Sequence, residues 1–244
     1  MTRRRRSDHR DRATTLASAG RRPADAEGAW LGVRPEIDAY SRPWIHSATP
    51  LGDLRMKEIL QRWRAIDGTW LEMRRMRPSD APKVKESLNR LSPDARRSRF
   101  FASIAEFSDD AVRRLVDVDP RNEYLLVVTR RDNGMEIPIA GGRFVQQDDG
   151  TDCTFSLLIG DPWQGQGIGR RLLKALMREA SRRGLRRMCG QVLAGNRPML
   201  ALARSLRFAI VDSEQDAGVV EVQRQLAATA WQRWRAFLQS AWRR

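Results

Sequence analysis

Two cysteines and two histidines in 244 residues leave little for metal or thiol chemistry. Cys153 and Cys189 form no Cys-x-x-Cys pair, and His9 and His46 both fall in the polar N-terminal stretch. Metal-ligand spacing is absent, so no structural or catalytic zinc is expected. A Ser/His/Asp or Cys/His arrangement is poorly supported for the same reason. No apolar run approaches the roughly 18 residues of a membrane-spanning helix. The opening Arg3-Arg4-Arg5-Arg6 is followed by Ser7, Asp8 and His9 instead of an apolar stretch, so no secretory signal is expected. A reducing, cytoplasmic setting is the simplest expectation for so few thiols.

Negative charge is also in short supply. Forty-five Lys and Arg against 30 Asp and Glu give a net charge of +15. That balance points to an anionic partner: nucleic acid, an acidic lipid surface, a polyanionic cofactor or an acidic protein. Hydrophobic residues make up 41%, enough for one sizeable core.

Residues 1–50 are rich in Arg, Ala, Asp, Gly and Pro without periodicity, and read as a basic arm that cannot offset its ordering entropy. The arm is either a solubilising tail or an electrostatic tether to nucleic acid or membrane. Across 51–69, Met56, Ile59, Leu60, Trp63 and Ile66 recur at helical spacing after Asp53, which predicts an amphipathic helix ending at Gly68. Trp70 to Arg77 reads as a first strand. Pro78-Ser79-Asp80, Ser92-Pro93-Asp94 and Ser108-Asp109-Asp110 each open a helix. Residues 225–244 predict a closing amphipathic helix marked by Leu226, Ala230, Trp234, Leu238 and Trp242. That helix is expected to dock on its own domain or in a homodimer, or to lie at a membrane surface.

From Glu123 the pattern changes. Tyr124 to Thr129, Glu136 to Gln146 and Asp152 to Ile159 are separated by the turn signals Asp132-Asn133-Gly134 and Asp148-Asp149-Gly150. They read as an antiparallel meander. A helix from about Gly167 to Arg183 buries Ile168, Leu172, Leu173, Leu176 and Ala180. A strand at Met188 to Leu193, a helix from Asn196-Arg197-Pro198, and strands at Phe208 to Val211 and Val219 to Val222 complete the pattern. The expected fold class is mixed α/β (α+β), with a largely antiparallel sheet flanked by helices.

The segment that carries chemistry is Gln164-Gly165-Gln166-Gly167-Ile168-Gly169, between a strand and a helix. Its glycines permit close backbone approach. A helix N-terminus adds unpaired N–H groups and partial positive charge, which suit a phosphate, and Arg170 and Arg171 follow. A dinucleotide fingerprint is excluded, because its last Gly position holds Arg170 and no acidic residue stands near 187 to 190. A P-loop would need Gly-Lys-Ser/Thr.

Gln164, Gly167 and Gly169 match the Q/R-x-x-G-x-G/A signature of the GNAT acetyltransferases, and the order of elements over residues 70–224 resembles their fold. Leu91-Ser92-Pro93, Arg99-Phe100-Phe101, Asp161 to Gly167 and Leu193 to Leu200 further resemble bacterial protein-lysine acetyltransferases. The resemblance implies an acetyl-CoA-dependent N-acetyltransferase acting on an amine, either a small molecule or a protein lysine, with no metal. It implies that the third meander strand splays from its neighbour. Main-chain groups of Leu157, Leu158 and Ile159 would then pair with the pantetheine arm. Gln164, Gly165, Gln166, Gly167, Ile168, Gly169 and Arg170 would bind the pyrophosphate, and Asn196 would lie near the thioester. Trp163 is either a wall of the cleft or ordinary core.

The resemblance breaks at the chemical step. The Glu that serves as base in the related enzymes aligns with Thr154, so the catalytic residues stay unassigned. Asp152, Asp149, Asp148 and Glu123 are alternatives acting through water. Cys153 is a nucleophile or, more simply, a buried thiol. A catalytically weak acyl-CoA-binding regulatory module is the competing expectation.

Overall fold

The computed structural model describes residues 59–101, 104–212 and 218–227. The basic arm, residues 51–58 and the closing segment beyond Ala227 lie outside them. Eight strands form one sheet in the order β1-β2-β3-β4-β5-β6-β8-β7. They are β1 (Ile59–Arg64), β2 (Trp70–Arg75), β3 (Glu123–Asp132), β4 (Met135–Gln146), β5 (Asp152–Ile159), β6 (Arg187–Leu193), β7 (Ala209–Asp212) and β8 (Val219–Gln225). Every pairing is antiparallel except β5 with β6. The helices are α1 (Ala81–Asn89), α2 (Pro93–Phe100), α3 (Asp109–Val116), α4 (Ile168–Arg182) and α5 (Arg197–Ser205). No helix among the described residues is long and apolar enough to cross a membrane.

One expectation is overturned. The stretch predicted as an amphipathic helix over 51–69 is a strand where it is described, at Ile59–Arg64. Asp67 and Gly68 form the turn of a hairpin, with the Asp67 carboxylate accepting from the Thr69 N–H at 2.9 Å. Trp63 then pairs with Leu71 across the hairpin and is buried. Ile59, Leu60 and Ile66 stay exposed, so the helical stripe is never used. Pairing with β2 satisfies a row of backbone groups that a helix would have left bare. At the other end, Gln225 belongs to β8, and the rest of the predicted closing helix, beyond Ala227, lies outside the described residues.

The sheet is covered on both faces. Leu126, Val128, Phe144 and Phe155 pack with Leu172, Leu173 and Leu176 of α4 and with Leu200 and Ala203 of α5. The opposite face carries a smaller cluster from α1 to α3, including Leu88, Phe100, Phe107 and Val112, against which Leu158 and Met76 rest. Ser92 and Ser108 cap α2 and α3 by accepting from Ala95 and Ala111 N–H groups. Between β2 and α1, buried Arg74 meets the Asp80 carboxylate with two bonds of 2.8 Å and also reaches Glu136.

Candidate active site

A cleft of about 970 Å³ opens where β5 leaves β6. The two strands pair in parallel only from Asp152–Arg187 to Thr154–Cys189. Phe155 holds them apart beyond that point. Its ring is buried, lies edge-on to Phe208 at 5.4 Å, and rests over Gly190. A Cβ at position 190 would stand 2.7 Å from that ring, so only glycine admits the wedge.

The open edge of β5 has a defined polarity. Gln147 N–H bonds the Asp152 carbonyl and Gly160 N–H bonds the Ile139 carbonyl, each at 2.9 Å. Alternate residues of an antiparallel strand direct their main-chain groups to opposite neighbours. The even-numbered residues of β5 therefore face β4, and Leu157 and Ile159 face the gap. Leu158 differs from the expectation: its main chain is turned toward Gly141 on β4, and its side chain lies against α1 to α3. The Ile159 carbonyl already accepts from Gln164 Nε2 at 3.3 Å, which ties the loop to the strand end.

The loop after β5 makes a 3₁₀ turn at Asp161–Trp163 and then enters α4. Gly165 and Gly167 have φ of +74° and +76°, a region costly for any side chain. Neither has an atom within 4 Å of a built Cβ, so both border open space. The first helical bond runs from Arg171 N–H to the Gly167 carbonyl. Among the described residues, no backbone bond engages the N–H groups of Gly165, Gln166, Gly167, Ile168, Gly169 and Arg170. They form a concave row of donors at the positive end of a 15-residue helix. Gly169 sets the depth of that row, since a Cβ there would meet Ile159 and Leu202 at 2.9 and 3.1 Å. Arg170 bonds Ser205 Oγ at 2.9 Å, joining the starts of the loop helix and the end of α5.

Asn196 is the cap of α5: its Oδ1 accepts from Met199 N–H at 3.1 Å. It also lines the cleft, with its amide NH₂ uncommitted to the cap. Trp163 lines the cleft and packs against the main core, so both readings of it hold together.

The other end of the cleft lies on the α2 face of β4 and β5. Val145 stands opposite Thr154, and Arg143 opposite Ser156. Arg99 reaches in from α2. Thr154 Oγ1 accepts from Gln147 Nε2 at 3.0 Å. Among the described lining residues the only carboxylates are Asp94 and Asp161, and both Asp161 oxygens are taken by Ser92. The four alternative carboxylates lie elsewhere. Asp152 is buried against Arg187, bonded from its Nε at 2.7 Å. Asp149 caps its turn by accepting from Thr151 and Asp152 N–H groups. Asp148 is exposed in that turn. Glu123 is bound to Arg143 at 2.6 Å; burial pushes its carboxyl above the usual range despite Arg143. Cys153 is fully buried on the opposite face, and burial, with Cys189 nearby, pushes its thiol up to about 12. It is a structural thiol.

Sequence reasoning missed Arg143. Its signal was present: one cation inside the apolar run from Ile139 to Val145. A charge at an inward strand position needs a partner or a ligand.

These features agree with the comparisons. Residues 71–209 match the model of the acetyltransferase (GNAT) domain. The chain is 30% identical to an acetyltransferase of Pseudomonas aeruginosa over 142 residues, 58% of this chain and 76% of that one. It is 28% identical to the acetyltransferase Pat of Mycolicibacterium smegmatis over 154 residues, 63% of this chain but 45% of Pat. The chain thus spans less than half the length of Pat. Among solved structures, the GNAT domain of S. lividans PAT superposes with a TM-score of 0.60 at 22% identity, covering 68% of this chain and 96% of that domain. The ribosomal L7/L12 α-N-protein acetyltransferase RimL, solved with coenzyme A, superposes at 0.55 and 18% identity, covering 70% of this chain and all of that one. With the family model matching more than half of its residues, the chain belongs to the GNAT acetyltransferase family and resembles the bacterial Pat enzymes within it.

Proposed function

We propose that the protein transfers an acetyl group from acetyl-CoA to the nitrogen of an amine. The observation that carries this reading is the join of two features: the wedge-held gap beside Leu157 and Ile159, and the free N–H row from Gly165 to Arg170 at its end. The donors suit a diphosphate, and the strand edge suits an amide-bearing arm lying beside it. The open space over Gly165 and Gly167 leaves room for such a group. Bound there, acetyl-CoA supplies the activated thioester.

The chain's own contribution is then binding, orientation and electrostatics. Asn196 offers its amide NH₂ to the arm. Phe155 and Trp163 wall the cleft. Arg99 and Arg143 make the acceptor end electropositive, which disfavours an ammonium and favours the neutral, nucleophilic amine. That effect offsets part of what the missing carboxylate at Thr154 would do. Proximity contributes the rest. A protein lysine and a small amine are both acceptors of this chemistry.

The test is calorimetric titration of acetyl-CoA, followed by acceptor-dependent release of free thiol. Binding should be at least roughly hundredfold weaker in Gly167→Glu, where strain, bulk and like charge all fall on the donor row. Undiminished binding in that variant would sink the placement of the diphosphate. A second reading, a regulatory module that binds acyl-CoA with little turnover, is favoured by Thr154. Tight binding with no thiol release across a broad amine panel would select it.

A further inference from the structure

The acceptor end of the cleft is built for negative charge. Arg143 is only 6% exposed, yet it lines the cleft. One of its nitrogens is bound to Glu123. The other two, Nε and Nη1, are buried with no acceptor. Buried donors left unpaired are rare and costly, and a guanidinium costs more than a neutral group. Arg99 stands close by, half-buried and lining the same cleft. Burial first, and the Arg143 charge second, pull its guanidinium down to about 10. It still carries its proton at neutral pH. Arg97 lines the cleft too. Arg97, Arg99 and Arg143 thus face this end of the cleft, where the lining carboxylate among the described residues is Asp94, at the exposed start of α2. Arg170 and Asp161, the latter committed to Ser92, line the loop end. Glu123 balances one positive charge and no more.

The position of the pair matters as much as its charge. Arg143 is level with Ser156, one residue along β5 from Leu157, where the free strand edge begins, and beside Thr154. An anion bound there lies next to the place where the amine meets the thioester. Like charges crowded without acceptors gain most when a carboxylate enters, because the planar forks can each take two oxygens.

We propose that the acceptor carries a carboxylate a few bonds from its reactive amine, received by Arg99 and Arg143. This rests on the acetyl-transfer reading and narrows its substrate. A free amino acid and an acidic peptide share this chemistry. The carboxylate also answers a difficulty of that reading: it draws an amine into an electropositive cleft that would otherwise repel its ammonium form.

The experiment uses the full chain and matched pairs of acceptors. Amino acids are compared with their α-amides, and the peptide Gly-Asp with Gly-Asn, each as C-terminal amides. The amides of the amino acids have the less basic amine, so intrinsic reactivity favours them, and a preference for the acid is the stricter result. Wild type should prefer the acid of at least one pair by roughly tenfold or more in kcat/KM. Which pair responds tells a free amino acid from an acidic peptide. In Arg99→Gln the ratio of acid to amide kcat/KM should fall to near unity, whatever the change in absolute rate, while acetyl-CoA affinity holds. A second variant, Arg143→Gln with Glu123→Gln, removes the buried pair together and should behave alike.

Equal use of acid and amide by the wild type overturns the proposal. So does a preference that survives in both variants. Faster transfer from succinyl-CoA than from acetyl-CoA, with no acceptor preference, would assign the arginines to the acyl group and overturn it as well. A failure of acetyl transfer itself reads differently: no thiol is released by any amine although acetyl-CoA binds. N-acetylated products then serve as probes, titrated into the CoA-loaded protein. Tighter binding of the N-acetyl acid than of its amide, lost in Arg99→Gln, upholds the anion site, and equal binding ends it.

Discussion

The two ends of the cleft offer opposite kinds of binding group. At the α4 end the work falls to main-chain N–H groups, fixed by glycines and a helix start, and the side chains matter mainly by being absent. At the α2 end it falls to guanidinium side chains on a rigid strand and a short helix. A backbone cradle is insensitive to most substitutions except those that add atoms. A side-chain site is insensitive to small additions and fails when one charge is removed. The first suits a cofactor shared by a whole family, and the second suits an acceptor that differs from member to member.

Removing charge at the α2 end should give the largest effect on stability. Arg143→Leu leaves Glu123 buried without its partner, and a broken buried pair costs about 3–5 kcal/mol. The Glu123 carboxyl is already raised by burial against the pull of Arg143, and it rises further without that pull. A raised acid contributes stability that is present below its unfolded value, near 4.3, and is lost as pH climbs through its folded value. The penalty of Arg143→Leu should therefore be largest at neutral pH and shrink as pH falls toward 5. Urea titrations of wild type and variant at pH 7 and pH 5 read this directly. A penalty independent of pH would mean that lost packing, and not the stranded carboxylate, is responsible. The double change with Glu123→Leu should recover most of the loss at pH 7.

Adding atoms at the splay should give an intermediate effect. Gly190→Val drives two methyl groups into the Phe155 ring, where even a Cβ would stand at 2.7 Å. Overpacking of this kind costs about 1–3 kcal/mol. Because the ring is the wedge between β5 and β6, acetyl-CoA affinity should fall with it, by roughly tenfold. Calorimetry beside thermal melts separates the two readings. A melting point lowered with affinity intact would show that the strands stay parted without the wedge.

The same contrast explains what could be read in advance. Gly165, Gly167 and Gly169 were visible because a backbone cradle leaves a fixed spacing of small residues in the sequence. The meander was visible through Asp132-Asn133-Gly134 and Asp148-Asp149-Gly150, whose turn chemistry is local. Arg99 and Arg143 lie 44 positions apart and meet only because α2 is laid across β5, so no spacing marks them. Ile59 to Ile66 failed for a related reason. Trp63 and its neighbours satisfy a helical period by chance, and the deciding contact, Trp63 with Leu71, depends on a hairpin turn. Leu158 drops out of the set that the family resemblance implies, because strand alternation turns its main chain to β4 while Leu157 and Ile159 face the gap.

The smallest expected effect tests whether the two ends are mechanically joined. Asp161, in the loop that leads to the donor row, accepts from Ser92 N–H at 3.0 Å and from Ser92 Oγ at 2.7 Å. Ser92 in turn caps α2, the helix that carries Arg99. Despite partial burial, these bonds hold the Asp161 carboxyl below the usual range. The contact is exposed, so Asp161→Ala should cost only about 0.5–1 kcal/mol of stability. Its functional mark is more specific. Acetyl-CoA affinity should stay within a factor of two or so of wild type, since Gly165 to Arg170 are untouched, whereas KM for the acceptor should rise about three- to fivefold as the start of α2 loosens. Equal loss in both quantities would mean that Asp161 shapes the donor row itself, and that the two ends respond as one body instead of two sites tied by a single strut.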